Sequence, residues 1–259
     1  MNCIALITLF IPLLGTVLGA SMVYFLKNQI SDTANRMLIG FAAGVMVAAS
    51  VWSLIIPSID ASINYGKFAF LPAAIGFMLG IFFLLALDHF IPHMHMDGQI
   101  EGKKSKLGKH RMMFLAVILH NIPEGMALGV VLAALINESN LVSIASAFAL
   151  ALGIALQNFP EGAIVSLPLK GEGLTKTQSF AFGAFSGVVE PIATVITLLF
   201  ASVIEPVLPY CLSFAAGAMI YVVVEELIPS MSEGKHSNIG TLFFAFGFVL
   251  MMILDVALA

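Results

Sequence analysis

His120-Asn121-Ile122-Pro123-Glu124-Gly125 and Gln157-Asn158-Phe159-Pro160-Glu161-Gly162 are near-copies of one another. Each reads polar-Asn-x-Pro-Glu-Gly, and each lies inside a long apolar run, 112–136 and 141–169. About 20 mostly apolar residues cross the hydrocarbon of a bilayer, so the polar groups of both copies fall at membrane depth. A carboxylate there costs about 2.5–3.5 kcal/mol on insertion scales and marks function by default. His120 and Glu124 are four apart and share a helix face, which Asn121 flanks; Gln157, Asn158 and Glu161 repeat the arrangement. The short join between the runs lets them pack antiparallel with these faces meeting. Pro123 cannot donate to the Leu119 carbonyl, nor Pro160 to that of Leu156, so each span is expected to bend and leave a carbonyl beside its polar cluster. Gly125 and Gly162 allow a neighbouring helix to come close.

Outside this pair, six more apolar runs are long enough to span: 3–26, 37–57, 68–88, 178–204, 206–230 and 238–259. Of the 259 residues 60% are hydrophobic and only 10% charged, against about a quarter charged in soluble domains. Open strand edges cannot be satisfied in hydrocarbon, so all eight runs are expected to be helices. The reading is an all-α membrane protein, residues 1–259 forming one polytopic domain of eight transmembrane helices. The first run has no basic residue ahead of it and is long enough to span, so it is expected to be a retained helix rather than a signal peptide. Cys3 and Cys211 lie in apolar runs and suggest no disulfide framework. The net charge of −4 comes with no basic tract, so no nucleic-acid partner is expected.

Lys27, Arg36, Lys103, Lys104, Lys106, Lys109, Arg111, Lys170, Lys176 and Lys235 follow spans 1, 3, 5 and 7, whereas Lys67 alone lies on the other side. The positive-inside rule then puts the loop 89–111 in the cytoplasm and both termini outside, in the cell membrane.

Phe41-Ala42-Ala43-Gly44-Val45-Met46 in span 2 resembles Phe214-Ala215-Ala216-Gly217-Ala218-Met219 in span 7, and both spans end near Ile-Pro-Ser (Ile56-Pro57-Ser58, Ile228-Pro229-Ser230). Gly76-Phe77-Met78-Leu79 in span 3 resembles Gly247-Phe248-Val249-Leu250 in span 8. A displacement by five spans inverts the copies, and inverted repeats are a transporter signature with the site between the halves. Pairs of glycines four apart (Gly15/Gly19, Gly40/Gly44, Gly76/Gly80, Gly183/Gly187) are expected at close helix crossings.

Imidazole, carboxylate and amide oxygen without thiolate suit a borderline divalent ion such as Zn²⁺, Fe²⁺, Mn²⁺, Co²⁺ or Cd²⁺. The bland alternative is a hydrogen-bonded network that only ties helices together; two matching copies argue against it. Glu190, beside Pro191 in span 6, is a third intramembrane acid or a helix-end glutamate reaching the interface. With Glu124 and Glu161 it supplies −3, which one divalent ion reduces to −1 and two convert to +1. Adjacent buried carboxylates cannot all ionise, so metal binding is expected to release protons; calorimetric binding enthalpies that do not depend on the ionisation enthalpy of the buffer would contradict this. Met46 and Ser53 lie seven apart on span 2, where Met46 alone reads as a core residue. Asp88 and His89 end span 3, and His93, His95 and Asp97 follow in a short His/Met tract, which is either a weak metal binder or a solvated loop. Glu225 and Glu226 come near the end of span 7, and Asp60 and Asp255 read as interfacial acids.

The doubled motif closely resembles spans 4 and 5 of the ZIP (Zrt/Irt-like) divalent metal transporters, in particular the bacterial GufA/ZupT-like branch, and the likeness runs through nearly the whole chain. That resemblance implies inverted three-helix repeats, spans 1–3 and 6–8, flanking helices 4 and 5. It implies a binuclear site: His120, Glu124, Gln157, Glu161 and Met46 around one metal, and Asn121, Glu124, Asn158, Glu161 and Glu190 around the other, with Glu124 and Glu161 bridging. Asp60 and Asp255 match an outer entrance with Ser53 near the path; Asp88, Glu226, His93 and His95 match an inner exit. Two positions depart from the pattern. Some relatives have Asp where this chain has Asn158, and many have His-Glu where it has Glu225-Glu226.

The expected function is import of Zn²⁺, with Fe²⁺, Mn²⁺, Co²⁺ and Cd²⁺ as alternatives, by alternating access. The metal is substrate, no cofactor is expected, and a homodimer is compatible with this reading. A proton-coupled carrier of a small organic solute is the rival. An intramembrane metalloenzyme is disfavoured because no His-Glu-x-x-His occurs.

Overall fold

A computed structural model describes residues 3–26, 30–94, 100–103, 109–137, 142–171, 173–234 and 236–258. Among the described residues, eight helices are long and apolar enough to cross a membrane. We label them α1 (Cys3–Phe25), α2 (Asp32–Asp60), α3 (Phe70–Phe90), α4 (Lys109–Ile136), α5 (Ile144–Gly171), α6 (Lys176–Leu199), α7 (Leu208–Ser232) and α8 (Ile239–Leu258). Local chemistry sets several ends. The Ser31 hydroxyl accepts from Ala34 N at the start of α2, and Thr175 and Gln178 form a capping box at the start of α6. Between α3 and α4 the chain forms a short antiparallel hairpin, β1 (His93–Met94) with β2 (Ile100–Glu101). This was not expected in an all-helical reading, and it lays His93–Met94 against α4. His95 and Asp97 lie outside the described residues.

The helix pairing follows an inverted repeat. α1 packs on α5, α4 on α6, α2 on α8 and α3 on α7. Exchanging α1 with α6, α2 with α7, α3 with α8 and α4 with α5 maps each pair onto another. Gly15/Gly19, Gly40/Gly44 and Gly76/Gly80 lie at these crossings, whereas Gly183 and Gly187 of α6 face α1. A methyl group at Gly44 would stand 2.0 Å from the Phe244 carbonyl oxygen, and one at Gly80 2.0 Å from that of Phe214. Both contacts are closer than any side chain permits, so the helix backbones touch directly.

Two features were not legible as spans. Span 6 is not one helix to residue 204. It breaks at Gly187-Val188, between Lys176–Ser186 and Val189–Leu199, and again at Phe200. Pro191 is the cause of the first break: it has no N–H for the Gly187 carbonyl, which Glu190 N–H reaches instead at 3.2 Å. The second half starts afresh, with Pro191 in its first turn, where a missing donor costs nothing. By contrast α4 and α5 run through Pro123 and Pro160 without interruption. The second feature is a π-helical segment in each repeat, Ser50–Ile55 in α2 and Val223–Leu227 in α7, each running into Ile-Pro-Ser. The α2 copy of the repeat is one residue longer between its Phe-Ala-Ala-Gly and its Ile-Pro-Ser, and its π segment is longer by one residue too. The wide turns absorb the inserted residues, as π-bulges do.

Candidate metal centre

The two motif copies face each other across α4 and α5, and α6 closes the site. Glu190, in the first turn of the second half of α6, is 1% exposed. Asn121 Nδ2 donates to its Oε1 at 3.1 Å, and Asn158 Nδ2 donates to its Oε2 at 2.8 Å. One asparagine from each copy therefore grips the same carboxylate. Thr16 of α1 adds a hydroxyl 3.4 Å from Oε1. Nothing in the spacing singles out Thr16; it is one of several hydroxyls in an apolar helix. The motif glycines explain its position. A methyl at Gly125 would stand 2.4 Å from the Glu190 carbonyl oxygen, and one at Gly162 2.2 Å from that of Thr16. Thr16 and Glu190 occupy equivalent places in the two repeats, each pressed against a motif glycine.

Glu124 is buried, and its Oε1 accepts from Gln157 Nε2 at 2.7 Å. His120 Nδ1 lies 2.7 Å from Glu226 Oε2, and both groups are buried. Half-buried Glu161 lines a small cavity of about 30 Å³ with them. Glu226 sits in the π segment of α7. The resemblance had assigned it to the exit; the fold brings it against the motif histidine. Met46 is fully buried in the main apolar core.

The donors in this cluster are spent on carboxylates, and acceptors are left over. Glu124 Oε2, Glu161 Oε2, Gln157 Oε1, Asn121 Oδ1 and Asn158 Oδ1 are buried without a hydrogen-bond partner. A buried unsatisfied polar atom costs about 1–3 kcal/mol and calls for an explanation. All five are lone-pair oxygens that no protein N–H or O–H reaches, and a hard or borderline cation would satisfy them. Among the described residues no three His, Cys, Asp or Glu side chains form a finished ligand cluster; the site as folded is one in which amides supply part of the donor set.

The other expected site residues fall in two places. Ser53, in the π segment of α2, donates to Asp255 Oδ1 at 2.6 Å. Both line a cavity of about 330 Å³ that opens where α4 meets α5. Asp60 is exposed at the end of α2 and does not line it. At the opposite face, Asp88 Oδ1 lies 3.5 Å from His93 Nε2. His93 is fully buried, so this part of the tract is not a solvated loop. Glu225 is exposed, beside buried Glu226.

The Asn158–Glu190 contact yields a test. Asn158→Asp removes the donor and sets two carboxylates side by side, so the folded state should depend more on a cation. Zn²⁺ is expected to raise the melting temperature of the purified variant more than that of the wild type; equal shifts would contradict the placement of a metal here.

A family model described as "ZIP Zinc transporter" matches residues 110–255. Zinc transporter ZIP11 of Xenopus tropicalis is 34% identical over 95% of this chain and 96% of its own length. Zinc transporter ZIPB of Bordetella bronchiseptica is 37% identical over 94% of this chain and 78% of its own. Zinc transporter GufA of Myxococcus xanthus is 33% identical over 95% and 96%.

Proposed function

This chain belongs to the ZIP zinc transporter family, and from that premise we propose that it carries Zn²⁺ into the cytoplasm through the paired motif. It is a multi-pass membrane transporter rather than an enzyme, and divalent metal is its substrate. The single observation that carries the assignment of the path is the set of five partnerless buried oxygens on α4 and α5. A cation bound there exchanges its hydration for those lone pairs, so entering the membrane interior costs it little.

The residues divide the work. Glu124 and Glu161 supply the charge that binds the ion, and are placed to bridge two positions. Gln157, His120 and Met46 would complete one position; Asn121, Asn158 and Glu190 the other. Gln157, Asn121 and Asn158 also hold the carboxylates in place through their amide N–H groups. Fe²⁺, Mn²⁺, Co²⁺ and Cd²⁺ suit the same donors.

Two helix groups supply a moving boundary. α1, α4, α5 and α6 pack among themselves, as do α2, α3, α7 and α8. We read the first group as the carrier, which passes the metal from the Ser53–Asp255 cavity, with Asp60 at its approach, to a face where Glu226, Asp88, His93 and His95 take it. The basic joins orient that second face to the cytoplasm and both termini outside. Ligands at the exit must be weak enough to let the ion leave. A homodimer is compatible with this arrangement.

Radiolabelled Zn²⁺ uptake by proteoliposomes of the purified protein tests the reading. Saturable uptake, abolished by a strong chelator and competed by the other four ions in a rank order, is expected. Transport of an organic solute that survives the chelator would replace the reading with a proton-coupled carrier.

A further inference from the structure

A further cavity lies behind the metal centre and is unconnected with its chemistry. It measures about 640 Å³ and runs between α4 and α6 on one side and α3 and α7 on the other. Its deep end is formed by Ile122, inside the first motif copy, and Val189, beside Glu190. Its far end is formed by Phe200, Ile204 and Tyr210, where α6 gives way to α7. Along its mouth Leu79, Ile192 and Ile196 are each just over half exposed, at 53%, 52% and 52%. The hydroxyl of Thr197, a polar group on its wall, is spent on the Ala193 carbonyl at 2.8 Å.

We propose that this groove binds a single acyl chain of a membrane phospholipid, inserted from the membrane face where α6 joins α7. Three observations select that occupant. The groove opens sideways from membrane-spanning helices, so what meets its mouth is bilayer hydrocarbon. Apart from the spent Thr197 hydroxyl and Tyr210 at the far end its lining is apolar, which leaves a charged ligand without partners along its depth. Its depth fits: the α4 wall from Ile122 to Val130 rises about 12 Å, close to the roughly 15 Å of one hydrocarbon leaflet. Tyr210 at the far end is one of the amphipathic aromatic side chains favoured at the headgroup level.

The position gives the site a role. The groove lies between the α4–α6 pair and the α3–α7 pair, beside the direct packing of α4 on α7, at the boundary between the two helix groups. A chain lodged there fills the gap along which the carrier group would move, and its base touches the motif. The fit of the chain then sets how easily that boundary slides. This last step rests on the transport reading; the binding site itself does not.

The test uses the full chain, purified, incubated with dioleoylphosphatidylcholine, exchanged into lipid-free detergent and weighed intact by native mass spectrometry. Cys211 lines the groove and is half-buried, so Cys211→Phe and Cys211→Trp fill it in two steps. Ala245→Phe adds the same bulk on the exposed face of α8. The wild type and Ala245→Phe are expected to retain one phospholipid, and Cys211→Trp to lower retention by about tenfold or more, since each displaced methylene weakens the hold; Cys211→Phe should fall between. In vesicles, the same variants should change the rate of Zn²⁺ uptake in the same order. A wild type that retains no phospholipid, a retained fatty acid in its place, or equal loss in Ala245→Phe would overturn the proposal. Because retention is read without transport, its failure leaves the metal reading standing, and absent uptake with intact retention would strike only at the latter.

Discussion

Replacing Glu124 and Glu161 together by alanine is expected to weaken Zn²⁺ binding to the purified protein by about 100-fold or more, which corresponds to about 2.7 kcal/mol or more. The expectation follows from where the charge sits. Glu190 and Glu226 are the remaining intramembrane acids of the cluster; three groups already donate to Glu190, and Glu226 lies against His120. Glu124 and Glu161 each keep an oxygen without a partner, so theirs are the lone pairs a cation can take without breaking a bond. Removing both leaves neutral amides, which are weak ligands, and the Glu190 and Glu226 carboxylates, which already have partners. The single variants should lose less than half of the combined free energy each, because the other carboxylate still holds one bridging position. Equilibrium dialysis with labelled Zn²⁺ reads the effect, and retention of wild-type affinity by the double variant would show that the ion is held elsewhere.

Gly162→Val is expected to destabilise the protein by at least about 1–3 kcal/mol, the usual cost of overpacking, and to abolish metal binding with it. The new Cβ would meet the Thr16 carbonyl oxygen at 2.2 Å and Ala20 N at 2.9 Å. Both are backbone atoms, so no rotamer change relieves the clash and α1 must move off α5. Thr16 moves with it, away from Glu190. Gly125→Val should behave alike, because the Glu190 backbone itself stands in the way at 2.4 Å. Ala245→Val on the exposed face of α8 is the matched control and should leave the melting temperature unchanged. If Gly162→Val melted with the control, the close α1–α5 contact would not exist in the membrane.

Much of this architecture is written in local pattern. Apolar runs of spanning length mark the eight helices because hydrocarbon forces each backbone to satisfy itself. The paired motif stands out because Asn, Glu and Pro are costly at that depth. The inverted repeat is visible in Phe41-Ala42-Ala43-Gly44 and Phe214-Ala215-Ala216-Gly217, and the helix pairing follows it.

What stayed hidden depends on which distant spans meet. Spacing along α7 puts Glu226 near a helix end, and only the fold brings it within 2.7 Å of His120. Thr16 carries no local signal and acquires its place through Gly162. The break in α6 could have been found: Pro191 leaves the Gly187 carbonyl without its usual donor, and a glycine at that position makes interruption cheap. Pro123 and Pro160 show the limit of that rule, since α4 and α5 run on through them. The π segments were also within reach, from the single extra residue between the two landmarks of the α2 repeat. The hairpin at His93 had no such signal; strands of two residues are too short for a period to register.

The central claim is that divalent metal crosses the membrane through the paired motif. The most direct measurement is labelled Zn²⁺ uptake into proteoliposomes, with wild type and the Glu124→Ala, Glu161→Ala double variant reconstituted at equal density and checked for equal folding. Saturable uptake by the wild type, reduced to the level of empty liposomes in the double variant, is the predicted result. Equal uptake by the two proteins, or none by a well-folded wild type, would contradict it.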